Sequence, residues 1–400
     1  MQLSPKQSSL APQLTTTLAE SASPGTLPAR RLRIALVTEY YYPHLGGVCE
    51  HVHYFAREAR LAGHHVDIVT SNIPGAAPTP NVIRIGQSKT VYANGSMARI
   101  SVGLGLRRQM RDVLREGRYD IVHVHSPLTP VLPLLAVEEA NAPLVGTFHT
   151  YFERAIAYRV GAPYFRSHLR RLNAAIAVSP SAVEALEKYF EADWRIVPNG
   201  IDVNEFTPSQ PRPPLMRTDV PVILYFGRLD PRNGLRHLID AFRLVRASGR
   251  EAQLLVAGGG PLSNYYRKLA NGDPDITFTG TVLGSRAAYY ANSTIYACPT
   301  TRGASFGITL LEAMACETPI VCSRMAGFRD VVKNEREALM VPPRDHHAIA
   351  GALTRLLDDE TLRIRMGKAG RQTSLRYDWR RVTDEVLGVY AEVLGQKLRS

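Results

Sequence analysis

At 400 residues, 45% of them hydrophobic, the chain is too long for one typical α/β domain and long enough to form two cores. Lysine and arginine outnumber aspartate and glutamate by 48 to 36, a net charge of +12, which favours an anionic partner: a nucleotide, a phospholipid surface or a nucleic acid. No apolar stretch is long enough to span a bilayer, and no zinc-finger spacing or RNA-binding signature supports the nucleic-acid alternative.

The cysteines and the first residues bear on the compartment. None of the cysteines belongs to a CxxC motif, and three of the four lie in apolar strand or helix contexts, which favours a reducing, cytoplasmic location. Residues 1–29 are rich in Ser, Thr, Pro and Gln and lack the basic start and apolar run of a signal peptide. They are predicted to form a disordered tail. Any membrane association is then expected to be peripheral, on the inner face of the membrane.

Alternating strands and helices predict a first α/β domain over residues 30–206. A strand at 33–37 is followed by a loop that ends in Gly46-Gly47, and a helix begins at Val48. This arrangement can hold a phosphate at a helix N-terminus, although ordinary tight turns also carry Gly-Gly pairs. It is not a GxGxxG motif, which disfavours a nicotinamide cofactor. Further strands are predicted at 65–70, 82–86, 120–125, 144–149, 174–178 and 195–198, and helices at 106–116, at 131–139 and after Ser179-Pro180.

A proline-rich segment at 207–220 is predicted to be a semi-rigid linker. It leads to a second α/β domain over 221–378, in which helices again follow strands, so both domains are predicted to be doubly wound parallel sheets. Apolar residues recur at helical spacing in 379–400, which predicts a terminal amphipathic helix. The strands predicted in the second domain are 222–226, 253–257, 276–278, 294–297, 320–322 and 338–341.

The stretch 299–327 is predicted to carry the chemistry. Its loop contains Gly303, and a helix starts near Phe306-Gly307. The unpaired N–H groups at the start of a helix suit a phosphate. Glu312 is the one carboxylate of this apolar helix. It would accept hydrogen bonds from a pair of sugar hydroxyls, or else pair with an arginine or lie at the surface.

Ligands of open α/β sheets bind beyond the carboxyl ends of the strands, so polar residues at those positions are the candidates. Arg228 suits a diphosphate through forked hydrogen bonds, with a surface ion pair as the alternative. Two facing sheets would bring together Glu39, Gly46, Gly47, His125, His149 and Thr150 of the first domain and Arg228, Gly259, Ser305 and Glu312 of the second.

The histidines and one acidic motif also have structural explanations. A lone histidine such as His149 is more often structural than functional. His123 and His125 lie two apart on a strand and share a face, but no third metal ligand is evident, so no metal site is predicted. The segment 273–275 (DPD) resembles a metal-nucleotide DxD motif, yet it precedes a strand and is better explained as a turn.

Two segments of the first domain, 99–118 and 158–171, combine arginines with apolar and aromatic residues. Such segments dock on anionic lipid headgroups in some proteins and are solvated helix faces in others. Both alternatives stay open from the sequence.

Seven motifs follow one another between residues 33 and 327. They are Gly46-Gly47-Val48 with His51-Val52, 120–125 (DIVHVH), 147–150 (TFHT), 198–202 (PNGID), 227–229 (GRL), 258–261 (GGGP) and 305–315 (SFGITLLEAMA). As a set they resemble the retaining GT-B glycosyltransferases of glycosyltransferase family 4. Within that family, the FHT and SFGI segments resemble those of phosphatidylinositol mannosyltransferases. The terminal helix resembles the family's last helix, which crosses back to the first domain.

This resemblance implies two Rossmann-like domains that face each other across a cleft, with a nucleotide-sugar donor on the second and the acceptor on the first. Arg228 would hold the diphosphate, Glu312 the ribose and His149 the donor sugar, and these three are the implied catalytic residues. The implied donor-binding residues are Gly47, Arg228, Arg232, Gly259, Ser305, Phe306, Gly307, Ile308 and Glu312, and the acceptor-side candidates are Tyr41, His51, His125 and Thr150.

The reaction implied by the resemblance is the transfer of a hexose from GDP-mannose or a UDP-sugar to a lipid or glycan. Transfer is expected to retain the anomeric configuration, and the leaving phosphate is expected to take the acceptor proton. No metal or other cofactor is then required. An anionic membrane lipid is a further expected partner, through the basic segments, and no nucleic acid is expected.

Three positions depart from the family pattern. Asn233 stands where the family has a phosphate-pairing lysine, Ala304 where it has the first of two glutamates, and Glu317 where it usually has glycine. Arg232 or Arg302 is expected to supply the missing charge. Two alternatives remain: a family member that binds a nucleotide or a partner without transferring sugar, and a basic lipid- or nucleic-acid-binding protein with an inherited fold.

Overall fold

The structure is a computed structural model, and it describes residues 30–44, 46–93, 96–149, 156–282 and 284–397. The predicted tail over 1–29 and the candidate Thr150 lie outside these residues. Two parallel sheets flanked by helices, together with one antiparallel hairpin, make up the described chain. The predicted α/β class, with two parallel-sheet domains, is confirmed.

The first domain follows the predicted alternation for most of its length. Its strands are β1 (Arg33–Val37), β2 (His65–Ser71), β3 (Val82–Ile85), β4 (Gln87–Ala93), β5 (Ser96–Val102), β6 (Ile121–His125), β7 (Leu144–Phe148), β8 (Ala174–Ala177) and β9 (Trp194–Ile196). Its helices are α1 (Gly47–Leu61), α2 (Leu106–Glu116), α3 (Leu132–Glu139), α4 (Ile156–Val160), α5 (Ala162–Leu169) and α6 (Pro180–Glu187).

Seven of these strands form one parallel sheet in the order β3-β2-β1-β6-β7-β8-β9. β4 and β5 pair antiparallel in a separate hairpin, which has no counterpart among the predicted elements. The prediction that a helix follows every strand is therefore wrong between β2 and α2, where β2, β3, β4 and β5 follow one another without a helix among the described residues. The carboxylate of Glu39 helps to fix this region, because it accepts hydrogen bonds from the backbone N–H groups of Ser101 in the hairpin and of Val131 and Leu132 at the start of α3.

The second domain contains the other parallel sheet. Its strands are β10 (Val222–Phe226), β11 (Gln253–Ala257), β12 (Ile276–Gly280), β13 (Ile295–Cys298), β14 (Ile320–Ser323) and β15 (Ala338–Val341), in the sheet order β12-β11-β10-β13-β14-β15. Its helices, and the one that ends the described chain, are α7 (Leu235–Ala247), α8 (Ser263–Ala270), α9 (Arg286–Ala291), α10 (Ile308–Ala315), α11 (Ala326–Arg329), α12 (His346–Asp358), α13 (Glu360–Ser374) and α14 (Trp379–Lys397). No prediction covered α12 and α13.

The central strands are buried on both faces, which explains their nearly continuous apolar sequences. Every residue of β6, β7 and β11 is buried, as expected where helices cover both sides of a parallel sheet. In such a sheet, the loops that follow the carboxyl ends of the strands are the parts open to a ligand.

The last helix, α14, packs against the first domain. Its apolar side chains join the same buried cluster as residues of β1 and α1, and the Trp379 ring stacks on Tyr54 of α1 with centroids 5.8 Å apart. The Tyr390 hydroxyl lies 2.6 Å from Nδ1 of His123 in β6. Burial of this apolar face ties the end of the chain to the first sheet.

Candidate active site

A cleft of about 1290 Å³ lies between the carboxyl ends of the two sheets. The loops after β1, β6 and β7 line one wall, and those after β10, β11 and β13 line the other. This volume exceeds that of a typical drug-sized pocket. The cleft can therefore hold an extended ligand between the domains.

A helix N-terminus opens onto this cleft. Gly307 precedes α10 with a φ of 106°, and no side chain of the described residues caps the helix. A Cβ at this position would lie 2.9 Å from the Phe328 ring, so the sequence needs glycine here. On the opposite wall, Gly47 faces Ile308, and a Cβ there would approach the Ile308 side chain to 3.3 Å. The backbone amides that begin α10 are thus presented to the cleft, where they suit an anionic group.

Three arginines line the second domain's side of the cleft. Arg228 follows β10, Arg232 lies in the next turn, and Arg302 lies in the loop before α10. Within the described residues, none of the three guanidinium groups forms a salt bridge or donates a hydrogen bond. Unneutralised arginines beside a helix N-terminus form a strongly anion-attracting surface.

The structure shows the surroundings of two of the three positions that depart from the family pattern, Asn233 and Ala304. The Asn233 side chain donates a hydrogen bond to the carbonyl oxygen of Arg228 at 2.8 Å, and the Tyr225 hydroxyl donates to the same oxygen at 3.0 Å. Position 233 thus braces the Arg228 turn. Ala304 is buried and offers no side-chain oxygen to the cleft.

Glu312 lies on α10, almost fully buried at the edge of the cleft. Arg286 Nη1 lies 3.0 Å from its Oε1, and the Tyr290 hydroxyl donates to its Oε2 at 2.8 Å. Burial raises the pKa of Glu312, and the charge of Arg286 and the bond from Tyr290 oppose that rise. The alternative in which Glu312 pairs with an arginine is therefore what the structure shows. Each carboxylate oxygen retains a further lone pair that can accept from a ligand.

Histidines form a compact group on the first domain's side. His125 ends β6, His149 directly follows β7, and His51 lies on α1. Nδ1 of His125 and Nε2 of His149 are 3.0 Å apart, while Nδ1 of His51 lies 2.8 Å from the Asn199 side-chain oxygen. Burial lowers the pKa of all three rings, that of His51 to about 4, so they are neutral at pH 7.

These same three rings could hold a metal ion, since each offers a nitrogen and these atoms lie within 4.8 Å of one another. Nε2 of His125 is buried and has no hydrogen-bond partner within the part of the chain that the structure describes. His123 stacks on His125 as its spacing predicts, but its nitrogens face Tyr390 and Thr147. His51 is the third potential metal ligand of this group. The sequence did not indicate it, because His51 lies on a helix rather than on a neighbouring strand.

The structure brings most of the proposed site residues together. Tyr41 is an exception: its ring is buried in the first domain's core, and its hydroxyl lies 2.8 Å from His53. The neighbouring Tyr40 and Tyr42 line the cleft instead. Those that line the cleft are Gly47, His125, His149, Arg228, Arg232, Gly259, Ser305, Phe306, Gly307, Ile308 and Glu312.

Arg286 and Glu50 line the cleft but had no place in the sequence predictions. Arg286 begins α9, and Glu50 lies in the first turn of α1. Their side chains form a salt bridge of 2.7 Å that joins the second domain to the first. Contacts between domains leave no periodic signal in a sequence. The sequence therefore pointed toward Arg286 only through the expectation that Glu312 pairs with an arginine.

The acidic motif at 273–275 lies outside the cleft. Asp275 is paired with Arg217 and Arg246, and its N–H bonds to the Asp273 side chain. These contacts fit the structural explanation of the motif as a turn.

The basic segments are partly neutralised. Arg107 and Arg111 of α2 pair with Glu138 and Glu139 of α3. Among the described residues, no helix is sufficiently long and apolar to cross a membrane.

Comparisons with known proteins agree with this geometry. Residues 45–205 match the family model described as Glycosyltransferase Family 4, and residues 220–359 match that of Glycosyl transferases group 1. The chain is 32% identical over 368 residues to the phosphatidyl-myo-inositol mannosyltransferase of Mycobacterium leprae, covering 90% of this chain and 97% of that protein. It is 29% identical to the GDP-mannose-dependent alpha-mannosyltransferase of Mycolicibacterium smegmatis, covering 92% and 99% of the two chains.

A solved structure shows the same fold. Anabaena HepE in complex with UDP and glucose superposes with a TM-score of 0.73 at 18% identity, covering 91% of this chain and all of that one. The predicted GT-B arrangement is confirmed by this likeness.

Proposed function

We propose, because the chain belongs to glycosyltransferase family 4, that this hexosyltransferase moves a mannosyl group from GDP-mannose to an inositol phospholipid. The relatives named above support both halves of the proposal, since one acts on phosphatidyl-myo-inositol and another depends on GDP-mannose. The observation that carries it is the group of three arginines, without acidic partners among the described residues, beside the glycine-capped start of α10. A sugar diphosphate is the ligand that such a surface suits.

The donor diphosphate would lie against Arg228, Arg232 and the first amides of α10. Charge develops on this group as the bond from the sugar C1 to the phosphate oxygen breaks, and preorganised donors stabilise that charge most strongly where water is excluded. Arg232 and Arg302 would supply the cation that Asn233 does not. We propose that these fixed charges suffice and that no metal is needed.

Transfer would occur on one face of the sugar, with retention. The acceptor hydroxyl would bond to C1 on the side that the diphosphate leaves, and its proton would pass to the departing phosphate oxygen. His149 would contact the donor sugar as a neutral ring, because burial and the neighbouring histidines keep its pKa low. It would orient hydroxyls rather than donate a proton.

The acceptor side would lie on the first domain, among His125, Tyr40 and Tyr42. Lipid access is supported by exposed apolar side chains in or beside the basic segments, notably Leu104, Ile156 and Val160. We propose that these anchor the protein peripherally. Sedimentation with vesicles of phosphatidylinositol and phosphatidylcholine tests this: a Leu104→Asp, Val160→Asp variant should bind less, and unchanged binding would refute the anchor.

A donor panel tests the function. Purified protein would be incubated with phosphatidylinositol vesicles and GDP-, UDP- or ADP-sugars, and the released nucleotide measured by mass spectrometry. Release of GDP from GDP-mannose, dependent on the lipid, is expected. Release only by an Asn233→Lys, Ala304→Glu double variant would instead support a family member that binds donor without transferring sugar.

A further inference from the structure

A chain of polar side chains crosses the cleft from the first domain to the second. The Tyr42 hydroxyl donates to Glu50 Oε1 at 2.6 Å, and Glu50 Oε2 lies 2.7 Å from Arg286 Nη2. Arg286 Nη1 lies 3.0 Å from Glu312 Oε1, whose second oxygen accepts from Tyr290 at 2.8 Å. One guanidinium therefore bridges a carboxylate of each domain.

This bridge is shielded from water. The side chains of Glu50 and Glu312 retain only 9% and 2% of their exposure, and that of Arg286 retains 22%. Although burial alone lowers the pKa of Arg286, the two carboxylates outweigh that effect and raise it. Removing the central cation would leave two carboxylates facing one another in a site of low polarity, which is strongly unfavourable.

We propose that Arg286 is a positioning residue: it aims the Glu312 carboxylate at the donor ribose and, through Glu50, makes that aim depend on the first domain. The inference rests on the proposed donor-binding role of Glu312. Nothing in the family resemblance assigned a role to Arg286 or Glu50.

Two contacts fix the orientation of the Glu312 carboxylate. Arg286 and Tyr290 each occupy one lone pair of a different oxygen of Glu312, so the carboxylate cannot rotate without losing a bond. The remaining lone pairs are left for the two ribose hydroxyls. A carboxylate fixed before binding loses little conformational entropy when the ligand arrives.

The link to the first domain depends on the width of the cleft. Hydrogen bonds fade beyond about 3.5 Å, so opening the cleft by an ångström or more would break the bond between Glu50 and Arg286. Arg286 would then be held from one side only. Donor affinity is therefore coupled to the approach of the two domains, and the nucleotide in turn favours the approach.

The test measures GDP binding by calorimetry and donor kinetics for Glu50→Gln, Arg286→Met and the double variant. Arg286→Met should raise the Kd for GDP and the KM for donor about tenfold or more, the usual effect of losing a charged hydrogen bond. The kcat should change much less, because a ribose contact exists in both ground and transition states. Glu50→Gln should weaken binding in the same way to a smaller degree, and the double variant should bind no worse than Arg286→Met.

Matched controls separate positioning from folding. Glu58→Gln changes another buried carboxylate of α1, paired with Arg57, and Arg217→Met removes an arginine that pairs with acids outside the cleft. Both should leave GDP affinity unchanged. If Arg286→Met does not fold, Arg286→Lys keeps the charge and should show an intermediate loss.

The outcomes separate two failures. The inference alone would be overturned if the folded Glu50→Gln and Arg286 variants bound GDP like the wild type. It would also be overturned if the losses of GDP affinity in the two single variants added up in the double variant. A wild-type protein that binds no nucleoside diphosphate would contradict the proposed function and the inference together.

Discussion

At the scale of single residues, we propose that neighbouring arginines replace the cation that is missing at Asn233. The Asn233 amide holds the carbonyl of Arg228, and a lysine there would lose that bond. We expect Asn233→Lys to give no gain in transfer rate. Arg232→Gln should lower kcat/KM for the donor about ten- to a hundredfold, through loss of a charged hydrogen bond.

Steady-state kinetics with GDP-mannose would measure both variants. Arg236→Gln serves as the control, because Arg236 lies on the exposed side of α7 and pairs with Asp240. A clear gain from Asn233→Lys would show that the arginines do not compensate.

The buried histidines predict a pH dependence of stability. His51 has a pKa of about 4 in the folded protein against 6.5 for an ordinary histidine, so the unfolded state binds more protons between these values. Stability should therefore fall as the pH drops from about 6.5 to about 4, by about 3 kcal/mol from this residue alone. Urea unfolding across that range would measure it.

His51→Gln should flatten the slope of that pH profile, since it removes one titrating group. His347→Gln, at an exposed position of α12, should leave it unchanged. An equally steep profile in both variants would contradict the assignment to His51.

At the scale of elements, the start of α10 is the most constrained junction. Gly307→Ala would place a Cβ 2.9 Å from the Phe328 ring at a φ of 106°, so it should cost about 1–3 kcal/mol of stability and weaken GDP binding. Gly351→Ala is the matched control: it lies within α12 with open space around it, and alanine there should be neutral or stabilising by up to about 1 kcal/mol. Thermal unfolding with and without GDP distinguishes the two, and equal melting temperatures would refute the constraint.

The sequence was informative where local physics dominates. Apolar strands such as β6 and β10, and the glycine-rich start of α10, follow from composition and turn chemistry, and they were predicted close to their observed bounds. The β4–β5 hairpin was not predicted, because residues 87–102 lack a continuous apolar run like that of β10. The prediction that Tyr41 faces the cleft was wrong, because three successive tyrosines give no indication of which one does.

At the scale of the whole molecule, the site exists only because two domains meet. The contact between Glu50 and Arg286 joins residues 236 apart in the chain, and Ser179 of the first domain donates to the carbonyl of Ser305 in the second at 2.8 Å. Such contacts depend on how the domains pack, which no local pattern encodes. The candidate residues could therefore be predicted one by one, but their mutual arrangement could not.

The most direct test is to follow the lipid itself. Phosphatidylinositol vesicles would be incubated with GDP-mannose and the wild-type protein, and the lipid analysed by mass spectrometry, beside an Arg228→Gln variant. We expect a lipid heavier by one hexose, formed at least about tenfold more slowly by the variant. An unchanged lipid, in a preparation that binds GDP, would contradict transfer to this acceptor.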